Sequence, residues 1–215
     1  MKIALTGDTH EGYQGSPRPD WDWFWYEIAK EKPDLLAHTG DWGMTWEDVR
    51  WAMERMRKRI HCPVIGALGN HDFWTNPMEP DHHMLLRQLQ SWLDLYQIQT
   101  GMVDLHGIRF GSFTGWYDEK FPPTNDRKFI NPAMWDYLAQ QAMLAKEKVF
   151  MEQPEVVVTH FPITTAEARL FSGFGYYLMI GHWHGEQYTG ADWFDFKFCN
   201  AGSDYGKPKY LILNI

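Results

Sequence analysis

Five short apolar segments of this 215-residue chain each end in a polar group built from Asp, His or Asn, in most cases beside a glycine. Apolar runs of this length, rich in β-branched or aromatic residues, are typical of buried β-strands. A packed sheet presents the residues that follow its strands to a crevice at one edge, so we expect the polar groups to lie close together. The five groups are Gly7-Asp8-Thr9-His10, Gly40-Asp41, Gly69-Asn70-His71-Asp72, Thr159-His160 and Gly181-His182-Trp183-His184.

The alternation of these runs with helical patterns predicts a layered α/β fold, with helices outside central sheets. The predicted strands are Lys2–Thr6, Asp34–Thr39, Pro63–Leu68, Ile108–Phe113, Val156–Thr159, Tyr177–Ile180, Phe194–Phe198 and Tyr210–Leu213. The predicted helices are Trp21–Lys30, Trp46–Arg59 (capped by the Thr45 hydroxyl), Asp81–Leu95 and Pro132–Glu147. His106-Gly107 predicts a hairpin turn. No repeat, low-complexity tract or linker divides the chain, so we expect one domain over residues 1–215.

The residue types at the strand ends suit metal ions. Carboxylate oxygen, imidazole nitrogen and amide oxygen together favour divalent cations such as Mn²⁺, Fe²⁺ or Zn²⁺. In the pairs Asp8-x-His10 and His182-x-His184, both side chains point to one side of an extended segment. No cysteine belongs to the five groups, which argues against a structural zinc site.

The formal net charge of −8 argues against a broad nucleic-acid-binding surface, because such a surface needs many Lys and Arg contacts to phosphates. It does not exclude a phosphate substrate, since bound cations invert the field of a single cleft. The sequence contains no apolar run long enough to span a membrane. The apolar run at its start is shorter than that of a signal peptide, because polar residues follow it too early. The two cysteines are too few for a disulfide framework. We therefore expect a cytoplasmic protein with no membrane partner.

Taken in order, the polar groups resemble the motifs of the calcineurin-like metallophosphoesterase family: D-x-H, G-D, G-N-H-D, H and G-H-x-H, over residues 7 to 184. The resemblance implies a sandwich of two central mixed β-sheets flanked by helices. It also implies two divalent metal ions, with Mn²⁺ the first choice and Fe, Zn or Ni as alternatives. The implied ligands are Asp8, His10 and His184 for one ion, Asn70, His160 and His182 for the other, and Asp41 as the bridge between them. His71 is implied to be a catalytic residue beside the leaving oxygen, with Asp72 fixing its orientation.

The implied reaction is attack of a metal-bridging hydroxide on phosphorus. Our first hypothesis is a phosphodiesterase acting on a small nucleotide-like substrate, such as a cyclic nucleotide. The alternatives are a phosphomonoesterase or protein phosphatase, a repair-type nuclease and a metal-free partner-binding scaffold of the same fold. The many protein phosphatases of this superfamily that carry Arg-Gly after the second motif differ from this chain, which continues from Asp41 with Trp42-Gly43. The sequence does not indicate the oligomeric state.

Twelve tryptophans are the unusual feature of the composition. The helical patterns predict that Trp21, Trp25 and Trp51 belong to the core. Four others lie in or beside the motif loops and are candidate substrate-binding residues that stack on a nucleobase or pack beneath the loops: Trp42, Trp74, Trp116 and Trp183.

Overall fold

The computed structural model describes residues 1–15, 19–74, 82–114, 126–130, 132–163, 177–185, 187–193 and 196–215. Within them the first sheet has the strand order β11-β1-β2-β3-β4. Strands β1 to β4 run parallel, and β11 pairs antiparallel with β1. These strands are β1 (Lys2–Thr6), β2 (Leu35–His38), β3 (Val64–Gly66), β4 (Ile98–Gln99) and β11 (Tyr210–Asn214).

The second sheet of the described residues has the order β5-β6-β7-β8-β10-β9. Its four inner strands are parallel, whereas β5 and β9 pair antiparallel at the two edges. Its strands are β5 (Gly101–Leu105), β6 (Ile108–Phe113), β7 (Val156–Thr159), β8 (Tyr177–Ile180), β9 (Tyr188–Trp193) and β10 (Phe196–Asn200). The prediction of two mixed sheets flanked by helices is thus confirmed.

The period of two along each strand builds the layers. Ile3 and Leu5 face the other sheet, where they pack with Val156 and Val158 of β7. The alternate residue Ala4 faces outward, against helices α1 (Trp21–Lys30), α2 (Trp46–Arg57) and α3 (His82–Leu95). On the opposite side, α4 (Pro132–Glu152) covers the second sheet through Val149. The carboxyl ends of the parallel strands of both sheets therefore open at one edge of the sandwich.

Some local predictions were wrong. The hydroxyl of Thr45 donates to the Asp48 carboxylate (3.1 Å) and makes no hydrogen bond to the first backbone N–H groups of α2. Trp51 is 58% exposed because it lies on the outward face of α2, whereas Trp21 and Trp25 are buried as predicted. The two short or weakly apolar strands, β4 and β9, were not predicted, and α4 continues past Glu147 to Glu152. Within the described residues, no helix has the length and apolar character to cross a bilayer.

Candidate metal centre and active site

Four of the predicted ligands form one tight cluster. Asp8, His10, Asp41 and His184 each place one ligand atom within 4.8 Å of the others. His10 Nε2 lies 3.6 Å from Asp41 Oδ2 and 3.4 Å from His184 Nε2, which is itself 3.7 Å from Asp8 Oδ1. Asp8, His10 and Asp41 are buried, and His184 is half-buried. These residues follow the ends of β1, β2 and β8, so the sheet edge brings together side chains from distant parts of the chain, as the motif positions predicted.

A second group adjoins the first through Asp41. His160 Nε2 lies 3.5 Å from Asp41 Oδ2 and 2.9 Å from Asn70 Oδ1. The other ring nitrogen of His160 lies 3.0 Å from the Thr39 carbonyl oxygen, which can only accept, so Nδ1 carries the proton and Nε2 a lone pair. The ring of His182 lies beside that of His160, with centroids 5.2 Å apart, while its backbone N–H donates to Asp8 (2.9 Å). Asp41 Oδ2 thus faces imidazoles of both groups.

The Asp41 carboxylate shows why this arrangement fits cations. Its Oδ1 accepts from the His71 backbone N–H (2.9 Å), but its buried Oδ2 has no hydrogen-bond partner among the described residues. An unsatisfied buried acceptor is costly, and here it faces the lone pair of His160 Nε2 and lies 3.6 Å from His10 Nε2. Carboxylate, imidazole and amide oxygen are together a suitable donor set for borderline divalent ions. The residues present therefore fit a pair of bound metal ions.

Burial sets the protonation of the cluster when no cation is bound. It raises the pKa of Asp8 to about 8, although the backbone N–H of His182 opposes the rise. Burial, with repulsion from Asp72 and Asp8, holds the pKa of Asp41 well above its ordinary value. Burial also lowers the pKa of His10 and His160 well below the ordinary range, so both imidazoles are neutral near pH 7. Cations would compensate the buried carboxylates and displace their protons.

The backbone is strained at the same residues. Asp8, His10, Asp41 and His182 all adopt positive φ, at 49°, 47°, 52° and 64°. Residues other than glycine rarely adopt this conformation, and such outliers cluster at functional sites. Hydrogen bonds hold the strained turns together, since Asp8 N donates to the Gly40 carbonyl (2.9 Å) and His10 N to the Asp41 carbonyl (3.0 Å).

Glycine lets these turns pack closely. Gly40 has a φ of +99°, and a Cβ on it would lie 2.7 Å from the backbone nitrogen of Gly69. A Cβ on Gly69 would overlap the carboxylate of Asp41. The glycines that precede Asp41 and Asn70 therefore allow the ends of β2 and β3 to bring their polar side chains into one site.

His71 faces the cluster with a defined tautomer. Its Nδ1 lies 3.1 Å from the Met44 carbonyl oxygen, so Nδ1 carries a hydrogen. Its Nε2 lies 3.1 Å from the hydroxyl of Tyr205, which can donate to it. The ring packs edge-on against His10, with centroids 4.5 Å apart. Burial lowers the pKa of His71 to about 4.

The prediction that Asp72 orients His71 was wrong. Asp72 Oδ1 accepts from the backbone N–H groups of Trp42 (2.8 Å) and Gly43 (3.3 Å), and its Oδ2 accepts from that of Gly69 (2.8 Å). Its side chain therefore ties the loop after β2 to the loop after β3. The carbonyl of Met44 makes the hydrogen bond to His71 that was expected from Asp72.

The candidate substrate-binding tryptophans have different environments. Trp42 is 0% exposed and stacks on His38, so its predicted contact with a substrate was wrong. The ring of Trp74 stacks on His71 (centroids 3.5 Å apart) and on Phe129 (4.5 Å). Trp183 is 40% exposed, so its role in substrate binding stays a prediction. Trp116 lies outside the described residues.

Three side chains of the site were missed by the sequence analysis. Tyr205 stacks on His10 (centroids 4.4 Å apart), and Asp204 Oδ1 lies 3.4 Å from His184 Nδ1. Both residues lie in the segment after β10. At the other strands we looked for a polar group beside a glycine just after the strand, and the same search at Gly202-Ser203 could have found them. The third is Asp126, which accepts a hydrogen bond from Asn70. It lies outside the helices and strands predicted from the sequence, which carries no signal for it.

Comparison with known proteins gives the family. The family model of the calcineurin-like phosphoesterases matches residues 1–186. A search for similar sequences among functionally curated proteins found no significant match.

Two solved structures are similar in fold. One is the phosphopantetheinyl hydrolase PptH from Mycobacterium tuberculosis, with a TM-score of 0.63 and 16% identity over 98% of this chain and 95% of that one. The other is TT1561 from Thermus thermophilus, with a TM-score of 0.60 and 14% identity over 94% and 89% of the two chains. The family match, the fold and the Asp/His cluster agree, and this chain belongs to the calcineurin-like phosphoesterase family of metal-dependent hydrolases.

Proposed function

We propose that this protein is a phosphodiesterase that hydrolyses small nucleotide-like phosphodiesters, including cyclic nucleotides, with two divalent cations. The observation that carries the proposal is the unpartnered Oδ2 of Asp41, which faces His10 on one side and His160 on the other. We assign Asp41 as the bridge, with one ion on Asp8, His10 and His184 and the other on Asn70, His160 and His182. Mn²⁺ is the proposed metal, with Fe, Zn and Ni as alternatives.

When bound, such a pair of ions supplies electrophilic activation of the phosphoryl oxygens and of the nucleophilic water. The chain's own contribution beside them is the pair formed by His71 Nε2 and the Tyr205 hydroxyl, 3.1 Å apart. An oxygen that leaves phosphorus gains negative charge and needs a hydrogen-bond donor or a proton. We assign that role to the protonated form of His71, whose Nε2–H would donate to the leaving oxygen while the Met44 carbonyl holds the ring in place. The negative charge of a bound substrate raises the pKa of the ring toward this form.

The side chains around the site support a diester over a monoester. A phosphate monoester carries close to two negative charges at neutral pH, whereas a diester carries one. The ion-pair contacts that the described residues make within the cluster join carboxylates to imidazoles, with no Arg or Lys among them. The residue that follows Asp41 is the buried Trp42 and not an arginine. Beyond the charge of the two ions, these contacts among the described residues therefore include no Arg or Lys for the second negative charge of a monoester, which supports a diester substrate.

The substrate proposal extends to the rim of the site. Among the candidate tryptophans that the structure describes, Trp183 has the exposed ring and is next to the predicted ligand His184 in the sequence, so we propose that it stacks on a base. We further propose that residues 1–215 form one domain, because the first strand pairs with the last one. Both cysteines are free thiols, as expected in the reducing cytoplasm that we propose as the location. The net charge of −8 supports the absence of an extended nucleic-acid surface.

A substrate panel tests the proposal. The protein, stripped with a chelator and reloaded with Mn²⁺, is assayed with matched mono- and diesters, including bis(p-nitrophenyl) phosphate, p-nitrophenyl phosphate and 2′,3′- and 3′,5′-cyclic nucleotides. A phosphopantetheinylated carrier is included because PptH is a phosphopantetheinyl hydrolase. We expect kcat/KM for the best diester to exceed that for its monoester by at least about tenfold, an energy difference of about 1.4 kcal/mol. Faster hydrolysis of the monoester would identify a phosphomonoesterase instead.

A further inference from the structure

The buried carboxylate of Asp126 joins two parts of the site. Its Oδ1 accepts hydrogen bonds from Asn70 Nδ2 (2.9 Å) and from Trp74 Nε1 (2.6 Å). Asp126 is 3% exposed and begins a short 3₁₀ turn, Asp126–Lys128, whose backbone is closed by hydrogen bonds from Phe129 and Ile130 to the Asp126 carbonyl. None of the five sequence motifs contains it.

The contact with Asp126 decides which end of the Asn70 amide faces the cluster. A carboxylate only accepts hydrogen bonds, so the amide must turn its NH₂ group toward Asp126. The carbonyl oxygen then points the other way, where it lies 2.9 Å from His160 Nε2. Because the proton of His160 is on Nδ1, two lone pairs face each other at this distance, and Asp41 Oδ2 adds a third at 3.5 Å from the same nitrogen. Three converging acceptors form a place for a cation.

We propose that Asp126 is a positioning residue that fixes the side-chain oxygen of Asn70 toward the second metal ion. The inference rests on the proposed dinuclear site and adds a residue to it. Without Asp126, the Asn70 amide is free to rotate by half a turn and present its NH₂ group, whose partly positive hydrogens repel a cation. Through its bond to Trp74, the same carboxylate also holds the indole that stacks on His71.

Mn²⁺ titration of the full chain, stripped of metal and followed by calorimetry, tests this role. We expect two ions per wild-type chain. Asp126→Ala should weaken the second ion by about 10- to 100-fold, the usual effect of removing a residue that orients a metal ligand, and leave the first unchanged. Asp126→Asn keeps an acceptor oxygen and should lose less than Asp126→Ala. The matched control Trp74→Phe removes the other hydrogen bond to Asp126 and should keep the affinity for both ions.

A double-mutant cycle separates positioning from a general structural role. In an Asn70→Ala background no amide remains to be oriented, so Asp126→Ala should cause no further loss of Mn²⁺ affinity. Equal losses in both backgrounds would show that Asp126 only supports the fold, and would overturn the proposal. An unchanged second affinity in Asp126→Ala, with two ions still bound, would also overturn it. A wild-type chain that binds no Mn²⁺ would instead overturn the proposed function.

A measurement on the wild-type chain keeps the proposal testable if Asp126→Ala does not fold. In ¹⁵N-labelled, Zn²⁺-loaded protein, the side-chain NH₂ of Asn70 should give a downfield-shifted, exchange-protected signal, assigned by its loss in Asn70→Ala. An unshifted signal that exchanges freely with water would show that the NH₂ group is not held by Asp126, and would contradict the assignment.

Discussion

Replacing Asp41 by Asn should make the metal-free protein more stable and the metal-loaded protein less stable. The asparagine amide can keep the acceptor that binds the His71 N–H (2.9 Å) and place an NH₂ group where Oδ2 has no partner. That group would occupy the position 3.6 Å from Nε2 of His10 and 3.5 Å from Nε2 of His160, which accepts. Because the pKa of Asp41 is raised, this gain is expected at a pH where its carboxylate is ionised, and there removing one unsatisfied buried acceptor contributes about 1–3 kcal/mol. For a chain of this length, about 2 kcal/mol corresponds to a rise in Tm of about 4–8 °C.

With Mn²⁺ bound, the wild type should instead be the more stable of the two proteins. An ion at about a hundred times its Kd stabilises a folded chain by about 2.7 kcal/mol, so two ions should raise the Tm of the wild type by roughly 10–20 °C. A bridging carboxylate serves both ions, so Asp41→Asn should lose most of this rise. The stabilities of the two proteins therefore cross when Mn²⁺ is added.

The assay is thermal unfolding followed by circular dichroism, with chelated protein and with Mn²⁺. Asp72→Asn is the matched control, because Asp72 is a buried carboxylate whose oxygens are already satisfied by three backbone N–H groups. This control should lower the Tm with and without metal. If Asp41→Asn also lowers the Tm in both conditions, Asp41 is a structural residue and the reasoning about its unpartnered oxygen is wrong.

Three further predictions concern pH, catalysis and substrate. Because burial raises the pKa of Asp8 from 3.8 to about 8, the folded metal-free chain holds a proton that the unfolded chain releases. The free energy of unfolding should therefore fall between about pH 6.5 and pH 8, by up to about 1.4 kcal/mol per pH unit. Urea titrations should show that Mn²⁺ removes this pH dependence, and a flat profile without metal would contradict the prediction. His71→Ala should lower kcat by about 10²- to 10⁴-fold with two Mn²⁺ still bound, and loss of an ion in elemental analysis would show that His71 is a ligand. Trp183→Ala should raise KM for a cyclic nucleotide several-fold more than for bis(p-nitrophenyl) phosphate, since removing a stacked base costs about 1–3 kcal/mol; equal increases would leave Trp183 only a packing role.

The architecture and the centre of the site follow from local patterns. Strand β1 was predicted with its observed bounds because its run Ile3, Ala4 and Leu5 is apolar at every position. All three residues are buried, so both faces of the strand are covered. The groups after such strands converge because parallel strands end at one edge of a sheet. The carboxylates of Asp8 and Asp41 in these groups then indicated metal binding.

What the sequence did not reveal depends on contacts between distant residues. A sequence shows that Asp72 follows His71, but not that its oxygens are taken by the backbone of Trp42 and Gly69. Asp126 meets Asn70 across 56 positions, from a short turn with no periodic pattern. Trp51 was misplaced because helical spacing does not distinguish the side of α2 that packs from the side that faces water.

Anomalous diffraction from crystals soaked in Mn²⁺ tests the central claim most directly. The account predicts two peaks roughly 3.5–4 Å apart, the usual spacing of paired catalytic ions. One peak should contact Asp8, His10 and His184, the other Asn70, His160 and His182, with Asp41 between them. A single peak, or peaks that leave Asp41 Oδ2 without a metal, would contradict the dinuclear centre.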